Sequence, residues 1–294
     1  PDIKWIPWFP VDMSPLPPPI ANNVGQAYRR MVFSRFGEQM VNDAGMDCYY
    51  VPHGVDTKLF APVDQKKAQA ALNFPPNKWV VGMVAANKGN PSRKAFMPQI
   101  EAFAEFHRRH PDTVLYLHTM KGEHGETQGV NLPEFIESCG MTYDMLGAKG
   151  SENADILFCD QYRNLLGFPD EYMVNMYSAL DVHMLVSMGE GFGIPTVEAQ
   201  ACGTPVITSG WTASKELCFS GIAINENKAD PWWTPLAAYQ WMPRVSGIWS
   251  ALEEVYRKPP SREKARKGAL QYDADLVTEK YWKPVLDEIE GSIT

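Results

Sequence analysis

The chain has 294 residues, 45% of them hydrophobic, and a formal net charge of −8. That length allows one large or two ordinary domains with a sizeable core, and the acidic balance argues against non-specific nucleic-acid binding, which needs a basic face. No apolar run approaches the roughly 20 residues of a membrane span. The five cysteines (Cys48, Cys139, Cys159, Cys202, Cys218) follow no zinc or CxxC spacing and read as reduced, mostly buried thiols of a cytoplasmic protein.

The chain starts at Pro1 rather than methionine, which suggests further sequence upstream. The opening "PDIKWIPWFPVDMSPLPPPI" reads as a strand followed by a polyproline-like loop. "RMVFS" is a strand, "RFGEQMVNDAG" a short helix capped by Gly45, and "DCYYVP" another strand. From Lys78 the pattern becomes regular. "WVVGMVA", "TVLYLHT", "DILFCD", "DVHMLVS", "PVITS" and "GIAI" are continuous apolar runs, and helix-like segments lie between most of them. Such alternation predicts a doubly wound α/β domain with a parallel sheet covered on both faces, from about Lys78 to Asn225. Phe96, Ile100, Phe103 and Phe106 fall at helical spacing and are expected to pack on that sheet. The tail reads as helical, broken by a Trp-rich loop, "DPWWTPLAAYQWMP".

Ligands of doubly wound sheets bind at the carboxyl ends of the strands, and two strand–loop–helix junctions there carry chemistry. In "ANKGNPSRKAF", Lys88, Arg93 and Lys94 lie between a strand end and a helix start, with Gly89, Asn90 and Pro91 making the turn. Cations at a helix N-terminus oppose the macrodipole, and a bound anion would offset the repulsion; a solvated basic turn is the plainer reading. In "GEGFGIPTVEAQACGTPV", glycines surround Glu190, Pro195 suits a first helical position, and Glu198 is expected in the first helical turn. The plainer reading there is a tight turn with Glu198 complementing the helix dipole. Together the junctions supply cations, backbone donors and two carboxylates. Cations suit a pyrophosphate and carboxylates suit sugar hydroxyls, so the pair fits a nucleotide sugar.

"EGFGIPTVE" resembles the E-x7-E signature of retaining GT-B glycosyltransferases of family 4, and "MYSALDVHMLVS", "EAQACGTPVITS" and "SRKAF" resemble that family's nucleotide-sugar domain. "VFSRFG…YYVPHGVDTKLF" resembles its crossover between domains. The resemblance implies that residues 1–61 are the end of an acceptor-side domain plus crossover, and that residues 62–294 form a Rossmann-like nucleotide-sugar domain with C-terminal helices. It implies a metal-independent retaining hexosyltransferase using a UDP- or GDP-sugar as donor substrate, with no separate cofactor. Lys88, Lys94 and Arg93 would hold the diphosphate, helped by the amides of Gly191, Phe192, Gly193, Ile194 and Thr196. Glu190 would bind the transferred sugar, Glu198 the ribose, and Asp160, Gln161 and Tyr162 the base. The acceptor (glycan, lipid, protein or small molecule) is open. By the resemblance only the end of the family's acceptor domain is expected in this sequence, and the final helix around Tyr281–Glu290 would, in the family, pack back on the part that is expected to be missing. A partner chain or second copy could complete the cleft, and a non-catalytic nucleotide-sugar-binding module is the alternative.

Other patterns carry less. "DAD" at Asp273–Asp275 matches a metal-binding DxD but lies in a helical segment, and "HRRH" (His107, His110) lacks a third zinc ligand. Paired-carboxylate hydrolysis by Glu190 and Glu198 would need no phosphate-binding cations. Trp232, Trp233 and Trp241 are expected to pack the tail on the sheet rather than stack on a sugar.

Overall fold

The computed structural model describes residues 3–89, 91–122 and 129–293, so Asn90 of the basic loop lies outside the described residues. Three short strands, β1 (Trp8–Phe9), β2 (Met31–Val32) and β3 (Tyr49–Tyr50), form a parallel sheet in that order. Between them lie α1 (Pro18–Val24) and α2 (Arg35–Asp43). The proline run is thus not an extended loop throughout: Pro18 and Pro19 open α1, where a missing N–H costs nothing. Ser34 caps α2, its hydroxyl accepting from the Gly37 amide at 3.0 Å.

The main domain follows as α3 (Gln65–Ala71), β4 (Trp79–Val84), α4 (Phe96–His107), β5 (Thr113–His118), α5 (Leu132–Ser138), β6 (Tyr143–Met145), β7 (Ile156–Phe158), α6 (Gln161–Leu166), α7 (Asp170–Ala179), β8 (Val182–Leu185), α8 (Ile194–Ala201), β9 (Val206–Ser209) and β10 (Gly221–Ile224). Its seven strands are parallel in the order β10-β9-β8-β4-β5-β7-β6. Side chains alternate across β4: Val81 and Met83 join Phe96, Ile100, Phe103 and Phe106 on one face, and Val80 joins Tyr116, Tyr177 and Val197 on the other. The doubly wound α/β fold and the α4 packing expected from sequence are both present. The chain winds outward from β4 through β5 and then returns to place β8 on β4's other side. The reversal puts a crevice between the carboxyl ends of β4 and β8.

The Trp-rich segment is not a loop. It is an antiparallel hairpin of β11 (Ala229–Trp233) and β12 (Tyr239–Pro243). Trp232 and Trp233 are exposed instead of packed on the sheet, whereas Trp241 packs against the core. After α9 (Val245–Arg257), α10 (Arg262–Ala269) and α11 (Ala274–Val277), the last helix α12 (Lys283–Ile293) returns to the N-terminal sheet. Tyr49 donates to Glu288 at 2.6 Å, and just ahead of α12 Trp282 lies edge-on to Trp8. The DxD carboxylates cap and brace α11: Asp273 accepts from the Asp275 and Leu276 amides, and Asp275 pairs with Lys58 at 2.6 Å. His107 and His110 bond to Asp155 and Glu253, each at 3.0 Å. Two of the five cysteines are buried, Cys159 and Cys202; the other three are half-buried.

One buried group costs stability. His183 on β8 is fully buried, and neither ring nitrogen has a hydrogen-bond partner among the described residues. Burial, with a contribution from nearby Lys94, lowers its pKa to about 3. Below the unfolded value near 6.5, the unfolded chain takes a proton that the native state refuses, so stability falls with pH by about 1.4 kcal/mol per unit. We expect His183→Leu to lose about 2 kcal/mol less than the parent between pH 7 and pH 5 in urea unfolding. An equal loss in both would show that His183 titrates normally in the fold.

Candidate functional site

The crevice between β4 and β8 opens into a cleft of about 610 Å³, lined by Asn87, Lys88, Lys94, His118, Asn164 and Pro195 among others. The two loops chosen from sequence therefore meet at one place. The loop after β4 brings Lys88, which is exposed, and Arg93 and Lys94, which point across to the loop after β8.

There they meet Glu190, only 5% exposed. Its Oε1 accepts from Lys94 Nζ at 2.5 Å and Ser187 Oγ at 2.6 Å, and its Oε2 from Arg93 at 3.2 Å. Burial pushes this carboxyl upward, but Lys94 and Arg93 outweigh it and hold the group below its ordinary range. The anion that offsets the cations ahead of α4 is thus, in part, the protein's own Glu190. Arg93 also donates to the Gly189 carbonyl at 2.5 Å and lies 3.5 Å from Asp12. Only Lys88 of the three cations has no ion-pair partner among the described residues.

Asp12 belongs to the N-terminal segment and is a site residue that sequence reading missed. The segment reaches the site because two glycines let it. A Cβ at Gly189 would lie 2.1 Å from the Asp12 carbonyl oxygen, and one at Gly191 would lie 2.2 Å from Pro10 Cβ. These glycines admit protein backbone on that side, a use the sequence reading did not anticipate. Gly193 differs: as the N-cap of α8 its φ is +119°, and a Cβ there would meet only ordinary van der Waals contacts, the nearest at 3.6 Å. The amides of Gly191, Phe192, Gly193 and Ile194 donate no hydrogen bond among the described residues, whereas the Thr196 amide is committed to the Gly193 carbonyl at 3.0 Å. Four unpaired donors at a helix N-terminus attract an anion. Thr196 is withdrawn from that set.

Glu198 is the fifth residue of α8, just past the first turn where it was expected, which weakens the reading of it as a dipole partner. It is half-buried, and its Oε2 accepts from the Tyr177 hydroxyl at 2.7 Å. Burial raises its pKa, with Tyr177 opposing. The three residues after β7 divide. Asp160 caps α6, accepting from the Arg163 amide at 2.9 Å, and the Gln161 amide group is engaged by Thr119, Cys159 and Lys121 backbone. Tyr162 is exposed and Asn164 lines the cleft. His118, at the end of β5, was also missed; burial brings its pKa down to about 4, and Tyr116 bonds its Nδ1 at 2.9 Å.

An open parallel sheet with cations, unpaired amides and carboxylates at its reversal point defines a doubly wound α/β protein with a cleft at the carboxyl ends of its strands. Residues 158–217, which include α8 and the Glu190 loop, are similar to the family model "Glycosyl transferases group 1". D-inositol 3-phosphate glycosyltransferase of Paenarthrobacter aurescens is 27% identical over 58% of this chain and 38% of its own length. The Nocardia farcinica protein of the same name is 26% identical over 76% and 48%. The chain spans less than half the length of these curated relatives. Among solved structures, sucrose-phosphate synthase of Thermosynechococcus elongatus aligns with a TM-score of 0.67 at 19% identity, over 92% of this chain and 61% of that one. Anabaena HepE in complex with UDP and glucose aligns at 0.61 and 17% identity, over 98% and 70%. At these identities the solved structures speak for the fold.

The ion cluster makes a test. Lys94→Met strands Glu190 with Arg93 as its remaining cation and should destabilise the fold by about 3 kcal/mol in denaturant unfolding. Adding Glu190→Gln should restore most of that loss. A double variant no more stable than Lys94→Met would show that the pair is not coupled in the fold.

Proposed function

We propose that this chain carries the donor half of a retaining glycosyltransferase that takes its sugar from a nucleoside diphosphate. The observation that carries the reading is the run of four unpaired amides, Gly191 to Ile194, beside a cleft whose other wall holds Lys88 and Lys94. Transfer needs the negative charge of a departing diphosphate to be stabilised, and these groups supply that without a metal ion. In the proposed reaction the acceptor oxygen bonds to the anomeric carbon as the carbon–phosphate-oxygen bond breaks. Attack comes from the face the diphosphate leaves, and a phosphate oxygen takes the acceptor's proton. The Glu190 carboxylate, kept ionised by Lys94 and Arg93, accepts from hydroxyls of the transferred sugar, and the free oxygen of Glu198 accepts from the ribose. Both Glu190 oxygens are already engaged by cations and Ser187, which leaves it poorly placed as a hydrolase acid. A UDP- or GDP-linked hexose is the proposed donor; HepE, of like fold, was captured with UDP and glucose. A partner chain or second copy would supply the remaining acceptor surface.

Calorimetry with UDP, GDP and ADP, with and without a chelator, tests the pocket: one diphosphate should bind equally in both conditions. Glu198→Gln should weaken diphosphate and nucleotide sugar alike by about 1.5–3 kcal/mol. Glu190→Gln frees Lys94 and Arg93, so the bare diphosphate should bind as well or tighter, with a loss only when the sugar is attached. Loss of all binding on chelation, or equal weakening of the bare diphosphate by both variants, would overturn the reading.

A further inference from the structure

A second pocket, of about 410 Å³, lies on the other side of the Glu190 loop, between α2 and the turn after β9. Its walls include Gln39, Trp211, Thr212, Lys215, Glu226 and Trp241. Three of these are bonded directly to the loop that carries Glu190. Trp211 Nε1 donates to the Ser187 and Met188 carbonyls at 3.1 and 3.0 Å, the Trp241 amide donates to the Met188 carbonyl at 3.0 Å, and Thr212 Oγ1 accepts from the Glu190 amide at 3.0 Å. Thr212 does so at φ +51°, a left-handed conformation that a β-branched residue adopts only under constraint. The pocket wall and the Glu190 backbone are one rigid unit.

The lining chemistry narrows the occupant. The side chains of Gln39, Lys215 and Glu226 make no hydrogen bond among the described residues, so an amide and one charge of each sign stand ready beside the half-buried Trp241 indole, Trp211 being only 2% exposed. With both signs present the pocket favours neither a phosphate nor a cation, and an alkyl chain would strand the charged groups. The partly exposed Trp241 indole with separated donors and acceptors suits a neutral polyhydroxylated ring, whose C–H face covers the indole while its hydroxyls reach the polar groups.

The hairpin extends the same surface. Trp233 and Tyr239 are directly opposed across β11 and β12, 56% and 42% exposed, with ring centroids 4.7 Å apart. Trp241, two residues beyond Tyr239, is on that face too and leads it into the pocket. We propose that this pocket, with the Trp233–Tyr239 rim, is a saccharide-binding site separate from the donor cleft.

Ligand-observed NMR with methyl glycosides of glucose, galactose, mannose and N-acetylglucosamine, and with maltose and cellobiose, tests it. At least one should bind saturably in the millimolar range, as expected of a few hydrogen bonds and one stacked ring. Gln39→Ala, on the exposed face of α2, should weaken it about fivefold. Trp233→Ala should weaken a disaccharide more than a monosaccharide, and neither variant should change nucleoside diphosphate affinity. Should no saccharide bind the parent chain, or should Gln39→Ala bind like the parent, the proposal fails. Saccharide binding without any diphosphate binding would leave this site standing and overturn the donor reading instead.

Discussion

A buried carboxylate sets the terms for this site. Glu190 is nearly inaccessible, and a charge in that position is tolerated only if cations and hydrogen-bond donors surround it. Lys94, Arg93 and Ser187 meet that demand from the loop after β4 and from the end of β8. The ion cluster therefore holds together two loops that would otherwise be separate excursions from adjacent strands. It also fixes the mouth of the reversal-point cleft, because Lys94 lines that cleft while bound to Glu190. The sheet order creates the crevice; the carboxylate gives it a defined shape.

The same cluster explains how the short N-terminal unit attaches. Asp12 approaches Arg93, and Pro10 and the Asp12 carbonyl sit where side chains at Gly191 and Gly189 would be. His53 adds a second contact, its ring against Phe192 of the same loop and against Trp8 and Phe33 of the N-terminal unit. Removing any Cβ from two of three closely spaced positions lets one loop serve two surfaces. One side receives protein backbone, and the other, from Gly191 to Ile194, keeps its amides unpaired.

Much of this was legible in the sequence because it depends on local pattern. Continuous apolar runs marked the six long-range strands from β4 to β10 other than β6, and Pro195 with Gly203 bracketed α8. The three-residue β6 was missed because "YDM" has no apolar run to mark it. The hairpin was misread because its aromatic residues are exposed, and composition alone cannot tell a packed tryptophan from a presented one. The site failed to be legible where it depends on distance in sequence. Nothing near Arg93 and Lys94 shows that their partner is Glu190, 96 residues further on for Lys94, nor that Asp12 would join them. Gln161 likewise looked free to touch a ligand, yet its amide group holds the ends of two strands.

The two glutamates of the E-x7-E spacing end up in environments that push in opposite directions. Glu190 is more deeply buried, yet cations keep it below its ordinary value; Glu198 has only the Tyr177 hydroxyl to oppose its burial and is raised. Both carboxyls offer acceptor oxygens, but of different kinds. Glu190 is rigid and already paired, so a hydroxyl that meets it joins a preorganised network and adds little ordering cost. Glu198 has one oxygen held by a neutral donor and the other without a protein partner among the described residues, so a diol would complete it rather than compete with it. Under the donor reading proposed above, such a pocket would separate recognition of two sugars by electrostatics: one read where charge is already balanced, the other where a donor is still wanted. The helix N-terminus between them keeps its amides unpaired among the described residues, where the same reading would place the phosphates.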